Sequence, residues 1–241
     1  MKTMTFITLG ALTLGVTHPL LADTLDDKGA YIAVKGGGSF PNRNPRGSFQ
    51  NTKLRNGAPI EVGAGYHFGC VDTDIAFIHV PHYKLRSHSV GNDINTAGFN
   101  FTHASKVQTN TWILSGRYNL TEIGIITPYL GVGAGMSWNK LKDSTVTYST
   151  SSISNAPFKI KHGATNTDFA WQVMAGAKFR LNPNLSFITE YKYMDLGKMK
   201  TSNRYTVTTA LLNTLGEVVQ DPVSKGKLRS SNVMVGLRYQ F

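Results

Sequence analysis

Apolar residues recur at every second position along most of this 241-residue chain, and that period restricts it to strands. The last segment is the clearest. Val233, Val235, Leu237, Tyr239 and Phe241 share one parity, and Asn232, Met234, Gly236, Arg238 and Gln240 share the other. Leu185 to Leu196 sets Leu185, Phe187, Tyr191 and Tyr193 against Glu190 and Lys192. Phe169 to Leu181 sets Phe169, Trp171, Val173, Ala175, Ala177, Phe179 and Leu181 against Gln172, Gly176, Lys178 and Arg180. Thr127 to Asn139 sets Leu130, Val132, Ala134, Met136 and Trp138 against Tyr129, Gly131, Gly133, Gly135 and Ser137. In the first half, Lys106 to Leu120 sets Trp112, Leu114, Tyr118 and Leu120 against Thr111, Ser115, Arg117 and Asn119. Ala58 to Gly69 sets Ile60, Val62, Ala64, Tyr66 and Phe68 against Glu61, Gly63, Gly65 and His67. Ala30 to Phe40 sets Ile32 and Val34 against Tyr31, Ala33 and Lys35. Val71 to His82 is the weakest: Ile75 and Phe77 oppose Asp72 and Asp74, and its second half has no clean parity.

These segments are longer than an ordinary strand of about 5–6 residues and match the roughly 9–11 residues that cross a bilayer. The connections alternate in length. Short ones fall at Gly69-Cys70-Val71, Thr121 to Ile126 and Asn182-Pro183-Asn184. Long ones span about 41–57, 83–106, 140–167 and 197–229. Short turns at one end and long loops at the other are the asymmetry of an up-and-down outer-membrane barrel. The apolar parity is zoned as well. Tyr66, Phe68, Tyr118, Phe179, Phe187, Tyr239 and Phe241 fall at the turn end, and Phe40, Trp112, Trp138, Phe169, Trp171, Tyr191 and Tyr193 at the loop end. Aromatic girdles flanking an apolar band are expected at the two headgroup levels. The fold class expected is therefore all-β, an eight-stranded antiparallel up-and-down transmembrane β-barrel over 23–241. The composition agrees: charged residues are only 16% and mean hydropathy is -0.18, as when one residue in two faces lipid.

The N-terminus reads as an address. Lys2, the apolar run Met4 to Val16, Pro19 and the small Ala22 have the order of a secretory signal peptide spanning 1–22, ahead of the acidic Asp23 to Asp27. Export through the inner membrane to a bacterial outer membrane follows from it.

The alternating final segment ending in Phe241, the stretch Tyr129 to Gly135, and Glu190-Tyr191-Lys192-Tyr193-Met194-Asp195-Leu196-Gly197 resemble the small eight-stranded outer-membrane proteins of Gram-negative bacteria. That group includes the opacity-like proteins and the OmpA transmembrane domain. The resemblance implies that Phe241 is read by the barrel-assembly machinery. It implies a surface antigen or adhesion role, with porin-like conduction as the alternative. No segment following Phe241 carries a cell-wall-binding expectation, unlike full-length OmpA.

The inward parity carries Lys35, Glu61, His67, Asp72, Asp74, Arg117, Lys178, Arg180, Glu190, Lys192 and Arg238. Eight strands leave an interior wide enough only for side chains, so these charges are expected to pair across a filled lumen, with Glu61 and Glu190 held by inward Lys or Arg. Gly131, Gly133 and Gly135 lack dinucleotide-binding spacing and are expected to make room for a neighbour such as Tyr129 or to let the strand bend. His79, His82, His88 and His103 lack regular ligand spacing, so neither a metal nor another cofactor is expected. Cys70 reads as a packed or idle thiol in a tight turn.

The chain carries a formal net charge of +11, which raises the question of a polyanionic partner. The positive charge falls in the long loops: Arg43, Arg46, Lys53 and Arg55 in the first, Lys140, Lys142, Lys159 and Lys161 in the third, and Lys198, Lys200, Arg204, Lys225, Lys227 and Arg229 in the fourth. The second adds Lys84, Arg86 and Lys106. Facing outward from the cell, these groups point to lipopolysaccharide or to host glycans and receptors rather than to nucleic acid. The expected function is a structural barrel displaying basic loops, not an enzyme. A narrow channel is the alternative, and a lipid A-modifying enzyme, with His79 beside loop-end serines, a weaker one.

Overall fold

The computed structural model describes residues 28–41, 52–90, 100–142, 144–149, 156–161, 164–200, 204–208, 218–220 and 225–241. The signal peptide read over 1–22 lies outside them. Among the described residues thirteen strands follow one another: β1 (Gly29–Pro41), β2 (Thr52–Leu54), β3 (Ile60–His67), β4 (Val71–Val90), β5 (Asn100–Asn119), β6 (Ile126–Leu141), β7 (Ser144–Ser149), β8 (Ala156–Lys161), β9 (Ala164–Arg180), β10 (Leu185–Lys200), β11 (Arg204–Thr208), β12 (Val218–Gln220) and β13 (Lys225–Gln240).

Eight of these, β1, β3, β4, β5, β6, β9, β10 and β13, pair antiparallel in a ring closed by β13 against β1 and by β4 against β5. Closure leaves no unpaired edge within the bilayer, where an unsatisfied backbone amide costs several kcal/mol. The outward parity is the apolar one: Val34 is 54% exposed and its neighbour Lys35 2%, Leu114 is 64% exposed and its neighbour Ser115 3%. A soluble barrel would have the reverse.

Both girdles are built from ring contacts along and across strands. Tyr66 meets Phe68 at 4.7 Å, Phe179 meets Phe187 at 6.2 Å and Tyr239 meets Phe241 at 5.2 Å at the turn end. Trp171 meets Tyr193 at 5.8 Å and Phe77 meets Trp112 at 5.1 Å at the loop end. At the turn after β9, the Asn182 side chain accepts hydrogen bonds from the amides of Asn184 (3.0 Å) and Leu185 (2.7 Å), leaving Pro183 between them with no amide to satisfy.

Two features depart from the sequence-based expectation. The stretch 83–106, expected as a loop, is mostly ladder: β4 continues to Val90 and β5 begins at Asn100, paired from Tyr83↔Val107 to Val90↔Asn100. Cross-strand hydrogen bonding carries the hairpin past the bilayer although its residues are polar. The missing parity in the second half of Val71 to His82 has two causes: Ile78 and Val80 are apolar on the inward face beside the outward Phe77, and a β-bulge follows them. The register shifts between Val80 and Tyr83, so Pro81 and His82 together oppose Gln108, and Pro81, which has no amide to donate, sits where the ladder is interrupted. Before the bulge Ala76, Ile78 and Val80 are buried, and after it Tyr83 is.

The remaining five strands, β2, β7, β8, β11 and β12, join the upper parts of β4 and β5 in the order β2-β4-β5-β7-β8-β11-β12. This loop sheet extends one wall of the barrel beyond the loop-end girdle.

Candidate functional site

The lumen is divided into layers. At mid-height Lys35 on β1 faces its register partner Glu61 on β3 (2.5 Å), and both reach β10. Lys35 Nζ is 3.0 Å from Glu190 Oε1, and Lys192 Nζ is 2.5 Å from Glu61 and 2.9 Å from Glu190. Tyr129 donates its hydroxyl to the other Glu190 oxygen at 2.8 Å. Lys35 can span the distance because β13 lies between β1 and β10 and presents Gly236 there; a side chain on Gly236 would collide with Lys35 Cγ.

Nearer the turns, Arg117 pairs with Asp74 (2.5 Å) and donates to the Tyr31 hydroxyl (3.1 Å). Asp72 is shared by His67, Lys178 (3.2 Å) and Arg238 (2.8 Å), and the Arg238 guanidinium lies 3.7 Å from the centre of the Tyr31 ring. Buried charges are tolerable only when paired in this way.

Among the described residues, the buried inward side chains above the Lys35–Glu61–Glu190–Lys192 layer are uncharged. Ile78, Val80, Tyr83, Val107, Ile113, Leu141, Met194, Leu196 and Leu228 form an apolar plug. Ser39 and the Tyr83 hydroxyl (2.7 Å), and Thr109, Asn139 and the Leu196 carbonyl, satisfy one another at its margin.

Of the charges read as inward, Lys35, Glu61, His67, Asp72, Asp74, Arg117, Glu190, Lys192 and Arg238 are buried, and Lys178 is half-buried among them. Arg180 is different: it is exposed at the turn rim, 2.9 Å from Glu122, because its parity points inward only where the barrel has already ended.

The glycine reading also changes in detail. The space for the Tyr129 hydroxyl comes from Gly176 on the adjacent β9, where an added Cβ would lie 2.6 Å from it. Gly131 instead gives way to Arg117 and Met174, and Gly133 to Ser115 and Gln172.

The basic residues expected at the loop end are distributed. Arg43 and Arg46 lie outside the described residues. Arg55, Lys140, Lys142, Lys198 and Lys227 are exposed, and Arg229 is half-buried beside Asp195 at 2.8 Å. Lys53, Lys159, Lys161, Lys200, Arg204 and Lys225 occupy strand positions in β2, β8, β10, β11 and β13. Lys198 stands opposite Lys227, and Lys200 opposite Lys225.

His79 Nδ1 meets the Asn110 side-chain oxygen at 2.5 Å and His82 is exposed, while His88 and His103 occupy neighbouring rungs of the β4–β5 ladder. Among the described residues, no three His, Cys, Asp or Glu side chains gather as metal ligands. Cys70 is exposed in the β3–β4 turn. The Phe241 amide donates to the Ala30 carbonyl at 2.9 Å, fixing the chain's last residue to β1 at the turn rim. The sequence reading missed the plug. Its signal was the run Ala76-Phe77-Ile78-His79-Val80, in which Ala76, Ile78 and Val80 bring apolar residues to the inward parity beside the outward Phe77.

Residues 8–241 match the family model described as an outer membrane protein beta-barrel domain. The outer membrane protein PagN of Salmonella typhimurium is 25% identical over 139 residues, 57% of this chain and 52% of PagN, so the chain spans about half of that relative. A Rickettsia prowazekii protein provisionally named as an adhesin is 21% identical over 204 residues, 84% of this chain and 87% of its own length. Among solved structures, Neisserial surface protein A superposes with a TM-score of 0.52 at 13% identity, over 88% of this chain and 97% of that one; that likeness bears on the fold alone.

Proposed function

The chain belongs to the outer membrane β-barrel protein family, and on that premise we propose that it is a non-enzymatic surface barrel that binds polyanions through its basic loop end. The observation that carries this reading is the contrast between a lumen filled by ion pairs and plug and an exterior rich in unburied cations. Inside, among the described residues, the charged layer and the apolar plug lie in series along the axis, which supports a barrel without the continuous wet path a porin needs. Outside, Arg55, Lys140, Lys142, Lys198 and Lys227 are exposed at the loop end. The adhesin name of the Rickettsia relative and the outer-membrane name of the Salmonella one support a surface role. The partners we assign are lipopolysaccharide or host glycans, with Phe241 engaging the barrel-assembly machinery.

The test is retention of refolded protein on immobilised heparin across a salt gradient, with single-channel recording in parallel. Release by moderate salt together with negligible conductance is expected. Large, steady conductance would favour the narrow porin-like channel instead. Removal of a lipid A acyl chain on expression would favour a lipid A-modifying enzyme.

A further inference from the structure

Below mid-height the packing of the lumen leaves a cavity of about 230 Å³, part of it continuous with solvent. Four cations line it, Lys35, Arg117, Lys178 and Arg238, and Asp72 is the carboxylate in its wall. Tyr129 is also in the wall, but its hydroxyl proton is already given to Glu190.

The charges of this half do not balance. Among the described residues, the buried and half-buried ions are Glu61, Asp72, Asp74 and Glu190 against Lys35, Arg117, Lys178, Lys192 and Arg238, which leaves one positive charge over. Protonation of His67 beside Asp72 would add to the excess. A charge without a counter-charge is costly in a low-dielectric interior.

The excess is local. Lys35 and Lys192 each lie within 3.0 Å of both Glu61 and Glu190, and Arg117 pairs with Asp74. Lys178 and Arg238 are left to converge on one oxygen of Asp72, Oδ2, at 3.2 and 2.8 Å. Its other oxygen is held by His67. An ammonium has three N–H donors, and among the described residues Lys178 directs them to Asp72 alone. Arg117 adds a buried Nε with no hydrogen-bond partner, Glu190 standing 3.5 Å away.

We propose that this cavity binds one small monovalent anion of the size of chloride, held by Lys178 and Arg238 with Arg117 beside them. One such ion neutralises the excess. A doubly charged anion would reverse it and face the Asp72 carboxylate at close range. Entry is from the turn end, since the Lys178 side chain is 12% exposed and that of Lys35, at mid-height, 2%. The site is a blind pocket below the Lys35–Glu61–Glu190–Lys192 layer, and it is independent of polyanion binding at the loop end.

The test uses the full mature chain refolded in lipid vesicles. Urea unfolding is followed at constant ionic strength while sodium gluconate is replaced stepwise by sodium chloride, for wild type, K178M and K28Q, whose lysine is exposed at the turn end. An ion that binds the folded chain alone lowers the unfolding equilibrium constant in proportion to its concentration once the site fills. Wild type and K28Q are therefore expected to show about a tenfold fall for each tenfold rise in chloride, and folded K178M none. A measurement that needs no variant is the anomalous scattering of wild-type crystals grown in bromide, with a peak expected in the cavity within hydrogen-bond reach of Lys178 Nζ. Identical wild-type unfolding in chloride and gluconate would overturn the proposal. So would an undiminished chloride effect in folded K178M, which would mean an adventitious ion only. If K178M does not fold, the bromide peak decides: its presence beside Lys178 supports the site, and an empty cavity overturns it.

Discussion

The two halves of the lumen close the same tube by opposite chemistry. From the turns to mid-height it is filled by Asp72, Asp74, Glu61 and Glu190 with their cations; above that it is filled by Ile78, Val80, Tyr83, Leu196 and Leu228. The charged half gains specificity of geometry at the expense of heavy desolvation, since each ion is acceptable only while its partners remain. The apolar half gains burial and tolerates local change. A barrel whose outer face is already apolar cannot use outward burial from water to choose its fold, so the order of strands and their register fall to the interior.

The largest effect is expected in the charged half. Glu190→Ala would leave Lys35, Lys192 and the nearby Arg117 facing one another with only Glu61 and Asp74 to share, and should cost about 3–5 kcal/mol. Equilibrium urea unfolding in lipid vesicles, followed by tryptophan fluorescence, measures it. The sharper form replaces the whole layer, K35M/E61L/E190L/K192M, which converts charged packing into plug-like packing. Stability within about 2 kcal/mol of wild type is expected. A loss as large as that of the single variant would mean that the ion pairs carry net stability in their own right.

In the apolar half, Leu196→Ala should cost about 2–4 kcal/mol through lost burial and the cavity left behind, read by the same unfolding curve. Because the two closures are in series, opening one should not make a pore. L196A/L228A is expected to conduct as little as wild type in planar bilayers, and large conductance from that variant would show that the charged layer is not a barrier.

Gly176→Ala tests the packing between the halves. The new methyl would lie 2.5 Å from the Thr189 backbone carbonyl and 2.6 Å from the Tyr129 hydroxyl, with an expected cost of about 1–3 kcal/mol. Partial relief of that cost in G176A/Y129L, measured as a double-mutant cycle, is expected, the remainder belonging to the backbone contact; no relief would place the whole clash at Thr189.

How much of this was legible from the sequence depends on which rule governed each residue. Strand number, strand faces and the girdles follow from period two, because a residue on a pleated strand has only two directions to point. The pairing of Lys35 and Lys192 with Glu61 and Glu190 was legible in kind, because buried charges must pair. It was not legible in detail, because Lys35 reaches β10 across a strand through the gap at Gly236, which only the register reveals. The plug was hidden by the bulge at Pro81-His82: it shifts parity within one strand, so Ile78 and Tyr83 share a direction despite their odd separation. The loop sheet was hidden for another reason. Its strands β7, β8 and β11 are short and polar, and β11 pairs with a strand more than forty residues earlier, a contact that no local pattern carries.

Arg180 marks the boundary of the charged half and gives the smallest effect. On parity alone it belongs with Lys178 two positions earlier, which is half-buried against Asp72. Its own side chain is 49% exposed and bonds Glu122, itself 38% exposed. An exposed ion pair gains little, because water solvates both partners nearly as well apart as together. Arg180→Gln is therefore expected to change stability by less than about 1 kcal/mol, whereas Lys178→Gln should cost more by removing one of the cations around buried Asp72. Equal losses from the two variants would extend the sealed network to the turn rim and move the edge of the charged half outward by one rung.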